Sequence, residues 1–267
     1  MSKSNGTSPD ADARFGGVAR LYGSEGLARL RSARVLVVGI GGVGCWAAEA
    51  LARTGVGTLH LVDLDEVCLS NVNRQLHALE GTVGQSKVAV MAERIRAINP
   101  AAAVVADARF FTAGTAGAIL GTCPDVVVDA IDNLRNKALL IAECVRRGLP
   151  VVTSAGAGGR RDPLQVRETD LALTRDDALA AQLRKRLRQH HQFPRERRRK
   201  FHVPCIHSLE TPFVPQADGS VCARVNPGEP MALNCDHGYG TSTAVVGAFG
   251  FAIAAAVVRL LTEAPGG

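Results

Sequence analysis

Val35-Leu36-Val37-Val38-Gly39-Ile40-Gly41-Gly42-Val43-Gly44 decides the fold of this chain. Four β-prone apolar residues in a row have the pattern of a strand buried on both faces of a parallel sheet. Glycines follow at once with the spacing G-x-G-x-x-G, at Gly39, Gly41 and Gly44. Cys45 to Arg53 is then rich in helix formers. Strand, glycine turn and helix in that order predict the first βα unit of a nucleotide-binding fold. Glycine lets the backbone turn tightly and approach a phosphate, and the helix N-terminus supplies free N–H groups and partial positive charge. The next strand, Thr58-Leu59-His60-Leu61-Val62, ends at Asp63, where a ribose-binding acid is expected.

Outward from this unit, the chain alternates strand and helix patterns. Ser86 to Ile98 carries Val88, Met91, Ile95 and Ile98 at helical spacing, with Ser86 as N-cap and Asn99-Pro100 as the stop. Val104 to Ala106 and Val126 to Ala130 are strand patterns, the second running into Asp129 and Asp132. Asn136 to Arg147 is a helix for which Asp132 or Asn133 could be the cap. Val151 to Ser154 is a further parallel strand, and Leu164 to Glu168 is expected to leave the nucleotide-binding half. The prediction is an α/β, Rossmann-like, mostly parallel sheet with flanking helices. A small C-terminal β/α extension follows, with a hairpin over 212–226 turning at 217–220.

Composition agrees. Of the 267 residues, 46% are hydrophobic and only 4% aromatic, so the core must be aliphatic, as in α/β folds. Residues 1–13 are small and polar, predicting a disordered tail ahead of a single domain over 14–267. Thr241 to Leu261 is apolar up to Arg259, but Thr and Ser open it, alanines dominate and Gly247 and Gly250 interrupt it. This predicts a helix buried in a domain or dimer, not a membrane span. Seven cysteines include no C-x-x-C pair, which argues against a zinc ribbon and suits buried thiols in a reducing cytoplasm. His190, His191 and His202 have no cysteine partner at metal spacing and are expected at the surface.

Charge is concentrated. Arg184 to Lys200 holds nine Lys/Arg against the single acid Glu196, more than the whole chain's net +6. A basic helix-loop insertion over 170–203 follows, either a solvated charge run or an electrostatic arm for RNA phosphate. On the second reading Arg184, Lys185, Arg188, Arg195, Arg197, Arg198, Arg199 and Lys200 contact nucleic acid.

Three further features bear on chemistry. Leu64 to Gln75 is a polar loop after a parallel strand, at the sheet edge where ligands bind. There Arg74 can clamp a phosphate with a bidentate fork and Asn71 can hydrogen-bond ribose or phosphate. Lys87 sits in the first turn of its helix, where a cation opposes the dipole, and an anionic ligand would repair that conflict. Asp132, at a strand's carboxyl edge, can hold Mg²⁺ together with nucleotide phosphates.

The motifs Gly39-x-Gly41-Gly42-x-Gly44, Asp63-Leu64-Asp65, Ser70-Asn71-x-x-Arg74-Gln75, Val83-Gly84-Gln85-Ser86-Lys87 and Asp129-Ala130-Ile131-Asp132-Asn133 together resemble the ubiquitin-activating enzyme (ThiF/MoeB-like) superfamily. Those enzymes adenylate a carboxylate with Mg-ATP. Arg14 to Gly23, Met91 to Pro100 and Ala155 to Gly159 are similar to one branch, the tRNA threonylcarbamoyladenosine dehydratases. The resemblance implies ATP-dependent cyclisation of N6-threonylcarbamoyladenosine, next to the anticodon at position 37 of tRNA, through an acyl-adenylate. It implies that Gly39, Gly41, Gly42, Gly44, Asp63, Asp65, Asn71, Arg74, Lys87, Asp132 and Asn133 contact ATP. Arg74, Lys87 and Asp132 would be catalytic and Asp132 would hold Mg²⁺. Relatives are homodimers, and some insert an N-terminal arginine into the partner's site. One such position is Gly17 here, which leaves Arg14 or Arg20 to replace it. A monovalent cation, K⁺ or Na⁺, and a cysteine desulfurase or sulfur-acceptor partner are left open.

Other readings compete. An adenylyltransferase for the C-terminus of a ubiquitin-like sulfur carrier shares the fold, but such relatives usually carry two C-x-x-C zinc pairs and often a catalytic cysteine. Cys205 and Cys235 are candidates by position only and are expected to be structural. An NAD-dependent dehydrogenase shares the glycine fingerprint but gives no reason for Arg74, Lys87 and Asp132. A tRNA-binding protein without activity would not need the intact polar set.

Overall fold

A computed structural model describes residues 9–196, 198–216, 218–223 and 239–263. Nine strands and seven α-helices are seen among them. The main sheet has seven strands in the order β3-β2-β1-β4-β5-β7-β6. They are β1 (Arg34–Val38), β2 (Thr58–Val62), β3 (Ala103–Asp107), β4 (Val126–Asp129), β5 (Val151–Ser154), β6 (Val166–Asp170) and β7 (Pro204–Ser208). Every pairing is parallel except β6 with β7. The strand expected to leave the nucleotide-binding half stays in the sheet, because it doubles back antiparallel along β7 as the edge strand.

Strands β1 and β4 are central, with apolar side chains on both faces. One face is covered by α2 (Gly42–Arg53), α3 (Lys87–Ile98) and α7 (Thr243–Thr262). The other is covered by α4 (Ala116–Leu120), α5 (Leu134–Arg146) and α6 (Ala178–His190). Helix α7 is long and apolar enough to cross a membrane, yet 56% of its apolar window is buried inside the protein. It lies on α2, with Gly250 against Trp46 and Val43. Strands β8 (Phe213–Pro215) and β9 (Val221–Ala223) form the expected hairpin as a separate small sheet.

The N-terminal helix α1 (Pro9–Ser32) starts inside the expected tail and is broken at Gly23, whose φ of 77° is non-helical. Residues 1–8 of that tail lie outside the described residues. Phe15 and Leu27 of α1 are buried and close over Gly55. The segment Arg184 to Lys200 is more ordered than its polarity suggests. Phe193 and Phe201 are buried edge to face, centroids 4.9 Å apart, and pin the loop after α6.

Candidate active site

The parallel pairing puts the carboxyl ends of β1, β2, β4 and β5 on one edge, and the predicted site residues are assembled there. Gly39 opens the turn after β1 at φ 91°, a value glycine tolerates and side chains rarely adopt. A Cβ at Gly39 would stand 2.7 Å from the Ala130 carbonyl oxygen, so the turn lies directly on the β4–α5 connection. Gly44 opposes the Gly39 carbonyl and Ala130, and Gly42 faces Arg74 and Val246. Gly41 is the N-cap of α2, and a Cβ there would meet nothing within 4 Å. Open space over a helix N-terminus with unpaired amides is an anion cradle.

Asp63 holds this turn. Its Oδ2 accepts the Ile40 amide at 2.6 Å and its Oδ1 accepts the Asp65 amide at 2.9 Å. Burial pushes the Asp63 carboxyl up, while those amide bonds pull it down. Two carboxylate oxygens carry more lone pairs than two amides use, so ribose contact is compatible with this bracing.

Lys87 is buried, 6% exposed, and its Nζ donates to Asp65 Oδ2 at 2.8 Å. An ammonium has three donors, so capacity remains for an anion. Ser86 occupies the N-cap position, but its hydroxyl caps nothing and is buried without a partner among the described residues. Arg74 donates through Nη1 to the Ser70 carbonyl and to Asn73 Oδ1, leaving Nε and Nη2 without protein partners among the described residues. Asn71 is buried and spends Oδ1 on the Cys68 amide, a loop-bracing role that its polar context did not reveal.

Asp132 is exposed and makes no hydrogen bond or ion pair among the described residues. Asn133, not Asp132, caps α5, its Oδ1 accepting the amides of Arg135 and Asn136. No group of three or more His, Cys, Asp or Glu capable of holding a metal occurs among the described residues. One free carboxylate beside a phosphate cradle still fits Mg²⁺, a hard cation often held by one or two carboxylates plus substrate phosphates.

Beneath the edge lie residues whose importance the sequence does not announce. Lys137 and Asp129 are fully buried and paired at 3.0 Å. Burial pushes the Asp129 carboxyl up, against the pull of Lys137 and Thr153. The signal for Lys137 was its place on the apolar face of α5, one turn before Ile141 and two before Cys144. Arg160 and Asp177 form a second buried pair, in which Asp177 also caps α6 and accepts the Gly156 amide. This carboxylate ties the turn after β5 to the start of the basic helix.

Thiol chemistry has little support here. Burial pushes Cys45 and Cys144 up to about 12, and Cys205 higher still. None of these is a ready nucleophile at neutral pH. Cys235 lies outside the described residues. His190 and His202 are exposed and His191 is half-buried.

The basic arm forms two adjacent depressions, of about 520 Å³ and 500 Å³, around Arg184, Lys185, Arg188, Arg195 and Arg199. Not every cation there is free. Arg184 donates to Thr174, and Arg188 donates to the Pro194 carbonyl and lies over the Phe201 ring. Arg199 pairs with Glu196. Lys185, Arg195, Arg198 and Lys200 are exposed, and Arg197 lies outside the described residues.

A family model described as the ThiF family matches residues 17–266. The chain belongs to the ThiF family. It is 47% identical over 253 residues to the tRNA threonylcarbamoyladenosine dehydratase of Escherichia coli strain K12, covering 94% of each chain. A solved structure named TcdA (CsdL) superposes with a TM-score of 0.89 at 45% identity, covering 97% of each chain. A second, the E. coli tRNA N6-threonylcarbamoyladenosine dehydratase in complex with ATP, superposes with a TM-score of 0.83 at 43% identity over 95% of this chain and 96% of that one. Within the ThiF family the likeness to the dehydratases thus runs the length of the chain, as the sequence motifs implied.

Proposed function

We propose that this protein is an ATP-dependent tRNA threonylcarbamoyladenosine dehydratase. The threonylcarbamoyl carboxylate attacks the α-phosphorus of ATP, forming an acyl-adenylate and releasing pyrophosphate. The group then closes on its own activated carbonyl, and the former carboxylate oxygen leaves with AMP. The nucleoside has lost one water. Carboxylate oxygen is a poor leaving group and AMP a good one, and an intramolecular closure needs little beyond orientation. No covalent thiol step is required, in keeping with the raised pKa of the buried cysteines.

The full-length likeness to a dehydratase that binds ATP carries this reading. The site's composition supports it. Asp63 fixes the glycine turn and would hydrogen-bond the ribose. The turn's amides would receive the phosphates over Gly41, where there is room. Lys87, already oriented by Asp65, and Arg74, with two nitrogens unbonded among the described residues, would neutralise charge as pyrophosphate departs. Asp132 would hold Mg²⁺, which supplies charge neutralisation on the phosphates when bound. Turnover compared in K⁺ and in Na⁺ tests for a monovalent-cation requirement.

The basic arm would carry tRNA phosphate, with Lys185, Arg195, Arg198 and Lys200 exposed for it. A second copy of the chain is the expected partner. Leu64, Leu69, Val72, Leu79 and Val83 are exposed apolar side chains gathered in one crossover, and Leu21 and Tyr22 are exposed on α1. Such a homodimer would act in the cytoplasm, where its tRNA substrate and reduced thiols belong. The sulfur-carrier reading finds no C-x-x-C pair in the sequence, and no feature of the described residues favours a sulfur-handling partner. Incubation of threonylcarbamoylated tRNA with the protein tests the proposal. Cyclised nucleoside and AMP should form together and only with ATP; pyrophosphate release dependent on a carrier protein, with the nucleoside unchanged, would favour the alternative.

A further inference from the structure

Directly below the adenylation edge lies a charged cluster to which the chemistry above gives no task. Lys137 and Asp129 each have a side-chain exposure of 0%, and Nζ lies 3.0 Å from Asp129 Oδ2. Lys137 comes from the first turns of α5, Asp129 from the end of β4. Desolvating two charges costs several kcal/mol per ion, and an apolar pair of similar volume commonly holds two elements together at least as well. Holding β4 to α5 is therefore a poor reason for the pair.

Its hydrogen bonds point to another reason. Lys137 Nζ also donates to the Ile131 carbonyl at 3.0 Å and to the Asp129 carbonyl at 3.4 Å. Asp129 Oδ1 accepts the Ile131 amide at 3.2 Å, and Oδ2 accepts the Thr153 hydroxyl at 2.6 Å. Apart from the ion pair itself and that hydroxyl, every bond lands on the backbone of residues 129–131. From above, the Gly39 turn lies against Ala130 with no room for a Cβ. The next residue along this clamped backbone is Asp132, which is exposed and free of partners among the described residues.

We infer that Lys137, with Asp129 and Thr153, is a positioning residue for adenylation. It fixes the 129–131 backbone so that the Asp132 carboxylate stands at one place beside the glycine turn. The inference rests on the reading of Asp132 as the magnesium-binding carboxylate. Its force comes from the steepness of catalysis with geometry, since a misplacement of about 1 Å can cost on the order of a hundredfold.

The test uses the full chain and two variants. Lys137→Met combined with Asp129→Asn removes both charges together, so no buried charge is left unpaired. Thr153→Val removes one brace and leaves the ion pair. ATP binding is measured by calorimetry with and without Mg²⁺, and turnover is measured against Mg²⁺ concentration. The double variant should fold, bind metal-free ATP as the wild type does, lose the tightening that Mg²⁺ gives, and turn over at least about tenfold more slowly. Thr153→Val should shift the Mg²⁺ half-saturation the same way by a smaller factor; it carries the test alone if the double variant fails to fold. A folded variant with wild-type magnesium dependence and a kcat within about twofold of wild type overturns the clamp. A wild type whose ATP affinity ignores Mg²⁺ overturns the reading of Asp132 itself, and the clamp with it.

Discussion

The glycine turn and the basic arm both present positive charge, by opposite means. At the turn the donors are backbone amides, held by the Asp63 bond to Ile40 and by the packing of Gly39 on Ala130. The lysine there, Lys87, is buried and already oriented by Asp65. The arm offers exposed side chains, Lys185, Arg195, Arg198 and Lys200, on a helix and a loop pinned by Phe193 and Phe201. Bond-making requires donors fixed before the charge develops. Tracking a phosphate backbone requires only enough cations in reach, and salt screens them. Change at the turn should therefore be severe and specific, and change in the arm graded and salt-dependent.

The contrast breaks most directly at Lys87. Lys87→Ala should lower AMP formation about 10²–10³-fold, the loss expected for a donor acting on developing charge. Thermal unfolding should barely move, because the Asp65 partner is half exposed. Turnover like the wild type's would take Lys87 out of the chemistry. Gly44→Ala comes next. Its Cβ would sit 1.8 Å from the Gly39 carbonyl oxygen, so the turn must distort. ATP binding should be lost and stability should fall by about 2 kcal/mol or more, read from denaturant titration.

The arm should respond more gently. Alanine at Lys185, Arg195, Arg198 and Lys200 together should weaken tRNA binding and flatten its dependence on salt. The slope should drop by roughly 0.7–0.9 for each phosphate that the variant no longer neutralises. ATP affinity should stay as it was. An unaltered salt slope would make the run a solvated surface and remove the comparison.

The smallest effect on activity concerns His77, buried beside the site with neither ring nitrogen bonded among the described residues. Burial, aided by the Lys87 charge, lowers its pKa from 6.5 to about 4. The unfolded chain binds this proton more readily, so the contribution is fully present above pH 6.5 and is lost as pH falls toward 4. The full shift corresponds to on the order of 3 kcal/mol. His77→Leu should flatten the stability profile across that window, measured by unfolding at a series of pH values. A profile parallel to the wild type's would show that His77 is not the group titrating.

Most of this edge was legible in the sequence because steric demands are local. Only glycine suits the turn at Gly39 and the crowding at Gly44, and a strand of four aliphatic residues has few alternatives in a chain this poor in aromatics. The misses share a different cause. Lys137 carries no local signal of its pairing, because its partner Asp129 and the Thr153 bonded to that carboxylate lie on two other elements. Strand β7 was hidden in Pro204-Cys205-Ile206-His207-Ser208, a short mixed stretch that becomes a strand only by pairing with β5 and β6. Ser86 had the right residue type for a cap, but its hydroxyl makes no bond to the helix amides. Asn133 was one of two candidates, and sequence could not choose between neighbours one residue apart.

The central claim is that this pocket converts an RNA-borne carboxylate into a mixed anhydride that then cyclises. Mass spectrometry of nucleosides from threonylcarbamoylated tRNA, with AMP counted in the same reaction, tests it most directly. The predicted result is loss of one water from the modified adenosine, with one AMP per nucleoside converted, and neither without ATP. Conversion without ATP, or ATP consumption with the nucleoside mass unchanged, would contradict it.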